Sequence, residues 1–384
     1  MTRVLIVGGG TVGHLGPGFA VADALRERGA QVRFATPGEA KEQAWFPASE
    51  EAPLAAPALR RPRGALGLPL FGVRLLSATW RTRRLLGREA PDVLVALGGW
   101  PCVPAVLAAR TKGIPVAFIA SDAKPGVAVR RLAGLAARIY VAQESAAQEL
   151  GGRDTVVVTG PAIRREVLEA EADHEAHGLE AGRVTLFVTG GSLGARALNE
   201  ALPRGLAAAV REDPTLVERV QVLHQVGESG AGVSAIYEEA GIRHRVVRFV
   251  EQVGSAYRTA TLVVARGGAL TCAELAAVGT PAVLVPYPHH ADRQQFENAR
   301  ALEEAGGACV VEEQALDVEG VKRHVLALLE DEAALERMRS ALRAGDRDGA
   351  GQIAADLIRL VGGGANACEE GELPAHAHAE GRGP

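Results

Sequence analysis

Residues 264–298 read VARGGALTCAELAAVGTPAVLVPYPHHADRQQFEN and combine two apolar runs, a glycine pair and a segment of helical composition. The apolar run 261–265 predicts a buried strand that Gly267–Gly268 ends. Residues 271–278 then have the composition of a helix, which we expect Gly279 to stop. Because glycine has no Cβ and the first amides of a helix are unpaired donors, such a loop can bind a diphosphate. The stretch therefore predicts a βα unit that binds a nucleotide.

Polar side chains in the same stretch suit a nucleotide sugar. We expect Glu274 in the first turn of the helix, where its carboxylate accepts hydrogen bonds from ribose hydroxyls. Two or three charge-assisted bonds of roughly 1.5–3 kcal/mol each would hold a nucleotide at micromolar levels, as for a substrate. A second apolar run, 281–286, is followed by groups that suit sugar hydroxyls, at the carboxyl end of a strand where open α/β sheets bind ligands. These groups are Asp292, Gln294, Gln295 and Asn298. The alternative is an ordinary βα turn, since short glycine motifs recur by chance.

Residues 267–299 closely resemble the donor-site segment of the MurG family, the GT-B glycosyltransferases that add N-acetylglucosamine to lipid I. The likeness covers roughly residues 1–340 and is strong in the second half and uneven in the first. It implies an α/β protein of GT-B architecture, with two Rossmann-like domains facing an interdomain cleft. It also implies a UDP-sugar as substrate, a lipid-phosphate or other hydroxyl acceptor, and neither a cofactor nor a metal.

The expected domain layout follows from the same resemblance. We expect an N-terminal acceptor-side and membrane-facing domain, a linker, a C-terminal donor-nucleotide domain, a helix that returns to the first domain and a disordered tail. Their expected bounds are 1–160, 161–183, 184–340, 341–361 and 362–384. The tail is expected to be disordered because it lacks apolar periodicity.

The resemblance implies a donor site spread over the second half of the chain. Residues 190–196, GGSLGAR, match the family's GGSxGAR, so the glycines, the Ser192 hydroxyl and the helix start form a second phosphate cradle. The family's uracil-contacting pair aligns with Phe249 and Val250, where a backbone amide and carbonyl can read the base edge. The donor residues implied in this way are Arg164, Gly191, Ser192, Phe249, Val250, Gly268, Ala269, Leu270, Thr271, Glu274, Gln294 and Gln295.

The acceptor side begins with the glycine loop GGGTVGH at residues 8–14. It resembles the family's GGTGGH, with Val12 in place of a glycine. The resemblance places His14 near the reaction centre, to activate or position the acceptor, although a histidine at such a junction is also often structural. The acceptor-side loop residues implied are Thr11, Gly13, Gly99 and Trp100.

A dinucleotide-binding role for this first loop is disfavoured. Residues 4–36 predict a strand, a helix from Pro17 to Arg28 and a second strand, and the loop contains the G-x-G-x-x-G spacing. However, no carboxylate follows the second strand until Glu39, and the motif needs an acidic residue there to bind the ribose of NAD.

The acceptor half departs most from the family pattern at residues 119–122. This chain has Ile119-Ala-Ser-Asp122 where the family has HEQN. The family's glycine-rich turn near Gly99 is also replaced, by Trp100-Pro-Cys-Val-Pro104. Asp122 is either the general base that takes the proton of the acceptor hydroxyl or the cap of the next helix. These departures suggest that the acceptor differs from lipid I.

Residues 59–88 contain eight arginines and no acidic residue, with leucines, Phe71 and Trp80 between them. One interpretation is a solvated basic helix. The other is a membrane patch at Arg60–Arg88, in which apolar side chains enter the interface and arginines meet anionic lipid. The corresponding family segment is considered to have the second role.

Composition limits the location and the partners. The net charge of −4 gives no nucleic-acid signal. The four cysteines lack CxxC pairing, which is typical of a reducing compartment. Neither a signal sequence nor an apolar run of membrane-spanning length is found in the sequence. We therefore expect a cytoplasmic protein that is peripheral on the inner face of the cell membrane.

The predicted activity is a metal-independent inverting transfer of a sugar, most simply N-acetylglucosamine, from UDP to an acceptor hydroxyl activated by His14 or Asp122. The D-x-D spacing at 346–348 lies in a predicted helical region and is taken as chance. One alternative is a related transferase of a specialised glycolipid or antibiotic pathway, with another acceptor or sugar. A second is a UDP-sugar epimerase of GT-B architecture, which would need further carboxylates around the sugar.

Overall fold

The computed structural model describes residues 1–9, 12–38, 46, 51–57, 59, 68–289, 292–342 and 348–362 of the 384-residue chain. The side chains of residues 12–14 and 68 lie outside this description. Within these ranges the chain forms two parallel β-sheets, with strands drawn from residues 3–158 and from residues 184–310.

Many strands of both sheets coincide with apolar runs of the sequence. Within the described ranges the first sheet has seven strands: β1 (Arg3–Val7), β2 (Gln31–Thr36), β3 (Leu54–Ala55), β4 (Val93–Ala96), β5 (Val116–Ala120), β6 (Arg138–Val141) and β7 (Val156–Val158). In the same ranges the second has six: β8 (Val184–Thr189), β9 (Val220–Gln225), β10 (Arg243–Val247), β11 (Leu262–Ala265), β12 (Ala282–Leu284) and β13 (Ala308–Val310).

Helices connect these strands. Those of the first half are α1 (Val12–Glu27), α2 (Leu68–Glu89), α3 (Cys102–Thr111), α4 (Val127–Leu132), α5 (Glu144–Glu149) and α6 (Arg165–Leu168). Those of the second half are α7 (Arg196–Glu212), α8 (Leu216–Arg219), α9 (Val233–Glu239), α10 (Val253–Thr259), α11 (Ala269–Val278), α12 (Gln294–Glu304), α13 (Val318–Val321), α14 (Ala327–Glu330), α15 (Glu332–Leu342) and α16 (Gly349–Gly362). The π-helical segment Lys322–Leu326 joins α13 to α14.

The strand orders are those of doubly wound α/β folds. They are β3-β2-β1-β4-β5-β6-β7 and β10-β9-β8-β11-β12-β13. In both sheets the order reverses beside the first strand, between β1 and β4 and between β8 and β11, and such switch points are where these folds bind ligands. The predicted fold class, with two Rossmann-like domains, is confirmed.

Both faces of each sheet are covered. Val4 and Ile6 of β1 pack in one core cluster, whereas Leu5 and Val7 pack in another on the opposite face. Since successive side chains of a strand point to opposite faces, a strand buried on both faces needs a continuous apolar run. That requirement explains why the strands could be recognised from the sequence.

Two element bounds differ from those expected. Helix α1 begins at Val12 and contains Pro17, the residue at which the helix was expected to start. The sequence run 246–250, VVRFV, predicts a strand, but strand β10 ends at Val247, so the pair Phe249–Val250 lies in the loop after it. A short turn before a proline and a short edge strand give little periodic signal.

The last helix packs against the first sheet. Ile353, Ala354 and Leu357 of α16 are buried in the same core cluster as β1 and α1. The carboxylate of Asp356 accepts hydrogen bonds from Arg138 Nε at 3.0 Å and from the Tyr140 hydroxyl at 2.9 Å. The C-terminal helix is therefore anchored by packing and by a partly buried polar cluster.

The two domains also meet directly between helices α1 and α11. A Cβ added to Gly16 would lie 2.5 Å from Leu270 Cδ2, closer than real Cβ contacts allow. Glycine at this position therefore permits the start of α1 to approach the start of α11.

Among the helices of the described ranges, none combines the length and the apolar character needed to cross a membrane.

Candidate active site

The two predicted phosphate loops begin side by side at the switch point of the second sheet. Strands β8 and β11 pair in parallel, with Thr189 opposite Ala265 at their carboxyl ends. The loop 190–195 follows β8, and the loop 266–268 follows β11. Two glycine turns that open helices thus lie next to each other, as a diphosphate site in this fold requires.

The first loop needs glycine for conformation and for space. Gly191 and Gly194 both have a φ of +77°, a region that L side chains rarely adopt. A Cβ on Gly194 would lie 2.1 Å from the carbonyl oxygen of Val226. Ser192 is half-buried and makes no hydrogen bond with the residues described, so its hydroxyl is available beside these amides. Helix α7 begins directly after this turn, at Arg196.

Gln225 supports this loop by hydrogen bonds, and it was not among the site residues predicted from the sequence. Its side chain is 4% exposed, and its Nε2 donates to the Gly191 carbonyl at 2.8 Å and to Thr189 Oγ1 at 3.2 Å. Its Oε1 accepts from the Val250 amide at 2.8 Å. One buried amide therefore joins the phosphate loop to the segment expected to contact the base. In the sequence, the only indication of this role is a glutamine at the end of a predicted strand.

The contact with Gln225 changes the expected role of Val250. A backbone amide and a carbonyl of the pair Phe249–Val250 were expected to read the base edge, and the Val250 amide already donates to Gln225. Of the backbone groups of Val250, the carbonyl accepts no hydrogen bond from the residues described and remains available for that purpose. The ring of Phe249 beside it is 46% exposed, as a surface for stacking would be.

The second loop leads into helix α11. Gly267 packs against helix α12, since a Cβ there would lie 2.2 Å from the Gln295 carbonyl oxygen. Gly268 is the N-cap residue, and the helix starts at Ala269. The amides of Ala269, Leu270 and Thr271 belong to its first turn, where they have no intrahelical partner. These donors and the positive end of the helix dipole suit an anion.

Glu274 does not lie where it was expected. Because α11 begins at Ala269, Glu274 belongs to the second turn, and it is 3% exposed. The Tyr257 hydroxyl donates to its Oε2 at 3.3 Å, while its buried Oε1 has no partner among the described residues. Burial raises the pKa of Glu274 to about 7, against the opposing effects of Arg164 and of the Tyr257 hydrogen bond. The site thus holds a carboxylate oxygen with an unused acceptor capacity.

Arg164 lies close enough to Glu274 to influence its charge. It is the N-cap residue of α6, and it forms an ion pair with Glu166. Its Nε is buried without a partner among the described residues. A buried guanidinium nitrogen without a partner is costly, so a ligand oxygen would be a favourable addition.

Two polar residues of α12 each make one side-chain hydrogen bond, whereas a third has all its hydrogen-bonding groups occupied. Gln295 Oε1 accepts from the Tyr287 amide at 2.9 Å. Gln294 Nε2 donates to the Lys124 carbonyl of the first domain at 3.2 Å. Asn298, expected to meet sugar hydroxyls, is instead 2% exposed and fully engaged in hydrogen bonds, so it is not free to bind a sugar.

The acceptor-side residues are only partly described. Thr11 lies outside the described residues, and so does the side chain of His14, although the backbone of Gly13 and His14 forms the first turn of α1. Gly99 has a φ of +76°, and Trp100 packs edge to face on Phe71 of α2, with ring centroids 5.8 Å apart. Asp122 follows β5 and contacts the second domain through Asn298.

Among the described residues, no group of three or more His, Cys, Asp or Glu side chains is arranged to hold a metal ion. Of the D-x-D spacing at 346–348, only Asp348 is described, and its carboxylate accepts from the Gly351 amide at the start of α16. The backbone amides, the Ser192 hydroxyl and Arg164 of the candidate site are groups that can bind a diphosphate directly, whereas the Glu274 carboxylate can accept hydrogen bonds from ribose hydroxyls.

Comparisons with known proteins agree with this geometry. Residues 4–141 match the glycosyltransferase family 28 N-terminal domain, and residues 185–353 match the glycosyltransferase family 28 C-terminal domain. The UDP-N-acetylglucosamine--N-acetylmuramyl-(pentapeptide) pyrophosphoryl-undecaprenol N-acetylglucosamine transferase of Clavibacter sepedonicus is 39% identical over 371 residues, covering 94% of this chain and 96% of the relative.

Solved structures share the fold. The crystal structure of Acinetobacter baumannii MurG has a TM-score of 0.71 at 26% identity and covers 94% of this chain and 100% of that one. A putative UDP-N-acetylglucosamine 2-epimerase from Listeria monocytogenes has a TM-score of 0.68 at 15% identity, covering 97% and 99%, which shows a common fold alone. The sequence relatives and the two domain matches together show that the chain is a glycosyltransferase of family 28 and belongs to the MurG family.

Proposed function

We propose that the chain transfers N-acetylglucosamine from UDP-N-acetylglucosamine to a hydroxyl of a lipid-diphosphate-linked acceptor. The observation that carries this proposal is the pairing of two glycine loops at one switch point, with Glu274, Gln294 and Gln295 beside them. The relative from Clavibacter sepedonicus, whose name states this reaction, supports the donor and the acceptor class.

The donor is bound by both loops of the second domain. In this proposal the diphosphate lies against the Gly191–Ser192 turn and the first amides of α11, with Arg164 as a further donor. The free oxygen of Glu274 accepts from the ribose. Gln294 and Gln295 exchange their present partners for sugar hydroxyls when the donor enters.

The transfer itself is a direct displacement that inverts the anomeric centre. The acceptor oxygen forms a bond to the anomeric carbon, its proton passes to the Asp122 carboxylate, and the bond between that carbon and the phosphate oxygen breaks. The electron pair leaves with UDP, whose charge is stabilised by the helix amides, so no metal ion is required. Asp122 is suited to this role because it lies at the contact between the two domains. His14 is the alternative base.

We place the acceptor-docking surface on helix α2. This helix exposes an apolar stripe consisting of Leu70 (54% exposed), Val73 (65%), Leu76 (73%) and Trp80 (53%). Its second half exposes the arginines Arg81, Arg84 and Arg88, and the Arg84 guanidinium lies 3.6 Å from the centroid of the Trp80 ring. Apolar and basic groups on one helix suit an anionic lipid surface.

This stripe is connected to the acceptor side of the cleft. Phe71, on the same helix, packs against Trp100, which follows Gly99 at the carboxyl end of β4. A lipid-linked substrate bound at α2 would therefore have its head group close to the first switch point. In this proposal the protein binds the inner face of the cell membrane, where the nucleotide sugar is available.

The departures at residues 119–122 support a competing proposal about the acceptor. A related transferase of a specialised glycolipid or antibiotic pathway would have the same donor site and a different acceptor loop. Incubation with UDP-N-acetylglucosamine and lipid I, with mass spectrometry of the lipid product, tests the main proposal. Robust transfer that persists in EDTA is expected. Transfer only to another acceptor favours the competing proposal, and conversion of the UDP-sugar without any acceptor would instead indicate an epimerase.

A further inference from the structure

One buried side chain, Asn298, connects the acceptor-side loop of the first domain with the donor loop of the second. Its Oδ1 accepts from the Ala123 amide at 2.7 Å, and its Nδ2 donates to Asp122 Oδ1 at 3.0 Å. The same Nδ2 donates to the Gly267 carbonyl at 3.3 Å. Every strong hydrogen-bonding group of this amide is thus used, two toward the first domain and one toward the second.

The chemistry of the partners selects an amide at this position. Asp122 and Gly267 present oxygens that need donors, whereas Ala123 presents an N–H that needs an acceptor. Asparagine is the shortest side chain that supplies two donors and an acceptor from one planar group. At 2% exposure, water cannot replace a missing partner easily, so the geometry is strictly defined.

The second oxygen of Asp122 makes no hydrogen bond with the described residues. One oxygen of the carboxylate is therefore fixed and the other is left for an incoming hydroxyl. The neighbouring cross-domain contact differs, because Gln294 reaches only the backbone carbonyl of Lys124 and does not touch Asp122.

We propose that Asn298 is a positioning residue that orients the Asp122 carboxylate and joins the donor glycine loop to the acceptor-side loop. When the donor loop is fixed, Asn298 therefore also fixes the position of Asp122. The inference rests on the proposed function, in which Asp122 accepts the proton of the acceptor. It assigns to Asn298 a role in alignment, distinct from the sugar contact expected from its sequence position.

The isosteric change Asn298→Asp is the sharpest test. It keeps an oxygen for the Ala123 amide but turns a second oxygen toward the Asp122 carboxylate and the Gly267 carbonyl, which repel it. The change Asn298→Ala removes all three bonds without adding charge. The matched control is Glu304→Gln on the same helix, since the Glu304 side chain is 69% exposed.

The first measurement is hydrogen exchange of residues 121–126 in the full chain, with and without UDP. In the wild type we expect the Ala123 amide to exchange slowly, and more slowly when UDP is bound. In both Asn298 variants exchange is expected to be roughly tenfold faster or more, and UDP no longer slows it. Glu304→Gln is expected to behave as the wild type.

The second measurement separates alignment from donor binding. Calorimetry with UDP is expected to give a dissociation constant within about threefold of the wild type for Asn298→Ala, while kcat falls on the order of 10²-fold, the loss that a misplaced catalytic group produces. Unchanged kcat together with a protected Ala123 amide would overturn the inference. A loss confined to UDP affinity would also overturn it, because Asn298 would then act only in the donor pocket.

The proposed function fails in a different way. If the wild type binds UDP but transfers sugar to no acceptor, the general-base role of Asp122 falls, while the exchange data still report whether Asn298 joins the two loops. If the wild-type Ala123 amide exchanges fast with and without UDP, the connection itself is refuted whatever the activity.

Discussion

The Tyr257 hydroxyl donates a hydrogen bond to the Glu274 carboxylate over 3.3 Å, and both side chains are buried in the donor domain. Burial raises the pKa of Tyr257 well above its ordinary value, so the phenol stays protonated and acts as the donor. Glu274 is held with one oxygen bonded and the other open. The pair therefore fixes the orientation of the carboxylate that the proposed function assigns to ribose binding.

This pair predicts a pH dependence of donor binding. Burial raises the pKa of Glu274 to about 7, and only the ionised carboxylate accepts hydrogen bonds from both ribose hydroxyls. We therefore expect the dissociation constant of UDP-N-acetylglucosamine to fall as pH rises through about 7, measured by calorimetry. In Glu274→Gln binding is weaker and independent of pH. An equally steep pH dependence in that variant would assign the titration to another group.

The same shift predicts the opposite trend for stability without ligand. Because the folded pKa of Glu274 is raised above its ordinary value of 4.5, the folded state binds more protons between 4.5 and about 7. The stabilising contribution is thus fully present below 4.5 and is lost as pH rises through about 7. The measurement is the free energy of unfolding by denaturant at pH values from below 4.5 to above 7, for the wild type and for Glu274→Gln. We expect the contribution of this group to be lost with rising pH in the wild type and to be absent from the variant.

Gln225 is expected to support donor affinity through loop geometry. Gln225→Leu removes its bonds to Thr189, Gly191 and Val250, so we expect the KM for the UDP-sugar to rise roughly tenfold or more with a smaller change in kcat. The matched control is Gln221→Leu, at the other end of the same strand and 0% exposed. Both variants lose stability, but only the first is expected to raise KM. Equal KM values in the two variants would refute the proposal that Gln225 supports the phosphate loop.

The exposed stripe of α2 is expected to bind anionic vesicles. Replacing Val73 and Leu76 with aspartate should abolish cosedimentation, since each buried apolar side chain contributes about 1.5–3 kcal/mol. Kinetics with a short-chain, water-soluble acceptor is expected to change little. Cosedimentation that survives this double substitution would place the membrane contact elsewhere.

The arginines of α2 should contribute through charge. Changing Arg81, Arg84 and Arg88 to glutamate is expected to weaken vesicle binding by roughly 1 kcal/mol for each arginine, and salt should weaken the wild type in the same way. Arg83 is omitted because it donates to Thr111 at 2.7 Å. The same change at three exposed arginines of the second domain, Arg204, Arg211 and Arg323, is the control and should leave vesicle binding unaffected.

The anchor of the last helix predicts a stability effect. Asp356→Ala removes the partner of both Tyr140 and Arg138, and we expect a loss of about 1–3 kcal/mol in the free energy of unfolding. Arg359→Ala, which removes an exposed partner of the same carboxylate, should cost less than about 0.5 kcal/mol. Equal losses in the two variants would show that the buried cluster does not anchor the helix.

The features that are encoded locally could be predicted from the sequence. Strands β8 and β11 were visible because strands buried on both faces are continuous apolar runs, and the glycine turns after them mark the loops. The left-handed glycine Gly279 closes α11 as expected. The prediction that Glu274 lies in the first turn of α11 was wrong. The helix starts directly after Gly268, its N-cap residue, and the sequence does not show where the first turn begins.

The contacts between distant residues could not be predicted in this way. Asp122 and Asn298 are separated by 176 positions, and Gln225 and Val250 by 25, so no local pattern relates the members of either pair. Periodicity reports which side chains are buried but not which polar groups they meet. Gln225 and Asn298 are buried amides whose hydrogen-bond partners are visible only once the strands and helices are placed.

The return of α16 to the first sheet has a consequence for dissecting the protein. Ile353 and Leu357 fill a core whose strands all come from residues 3–158, so the sequence of the first domain is discontinuous. A fragment that stopped at the linker would expose the groove that α16 normally fills and should aggregate. Supplying residues 349–362 as a separate peptide, or fusing them after a flexible tether, is the way to obtain that half of the molecule as a stable unit.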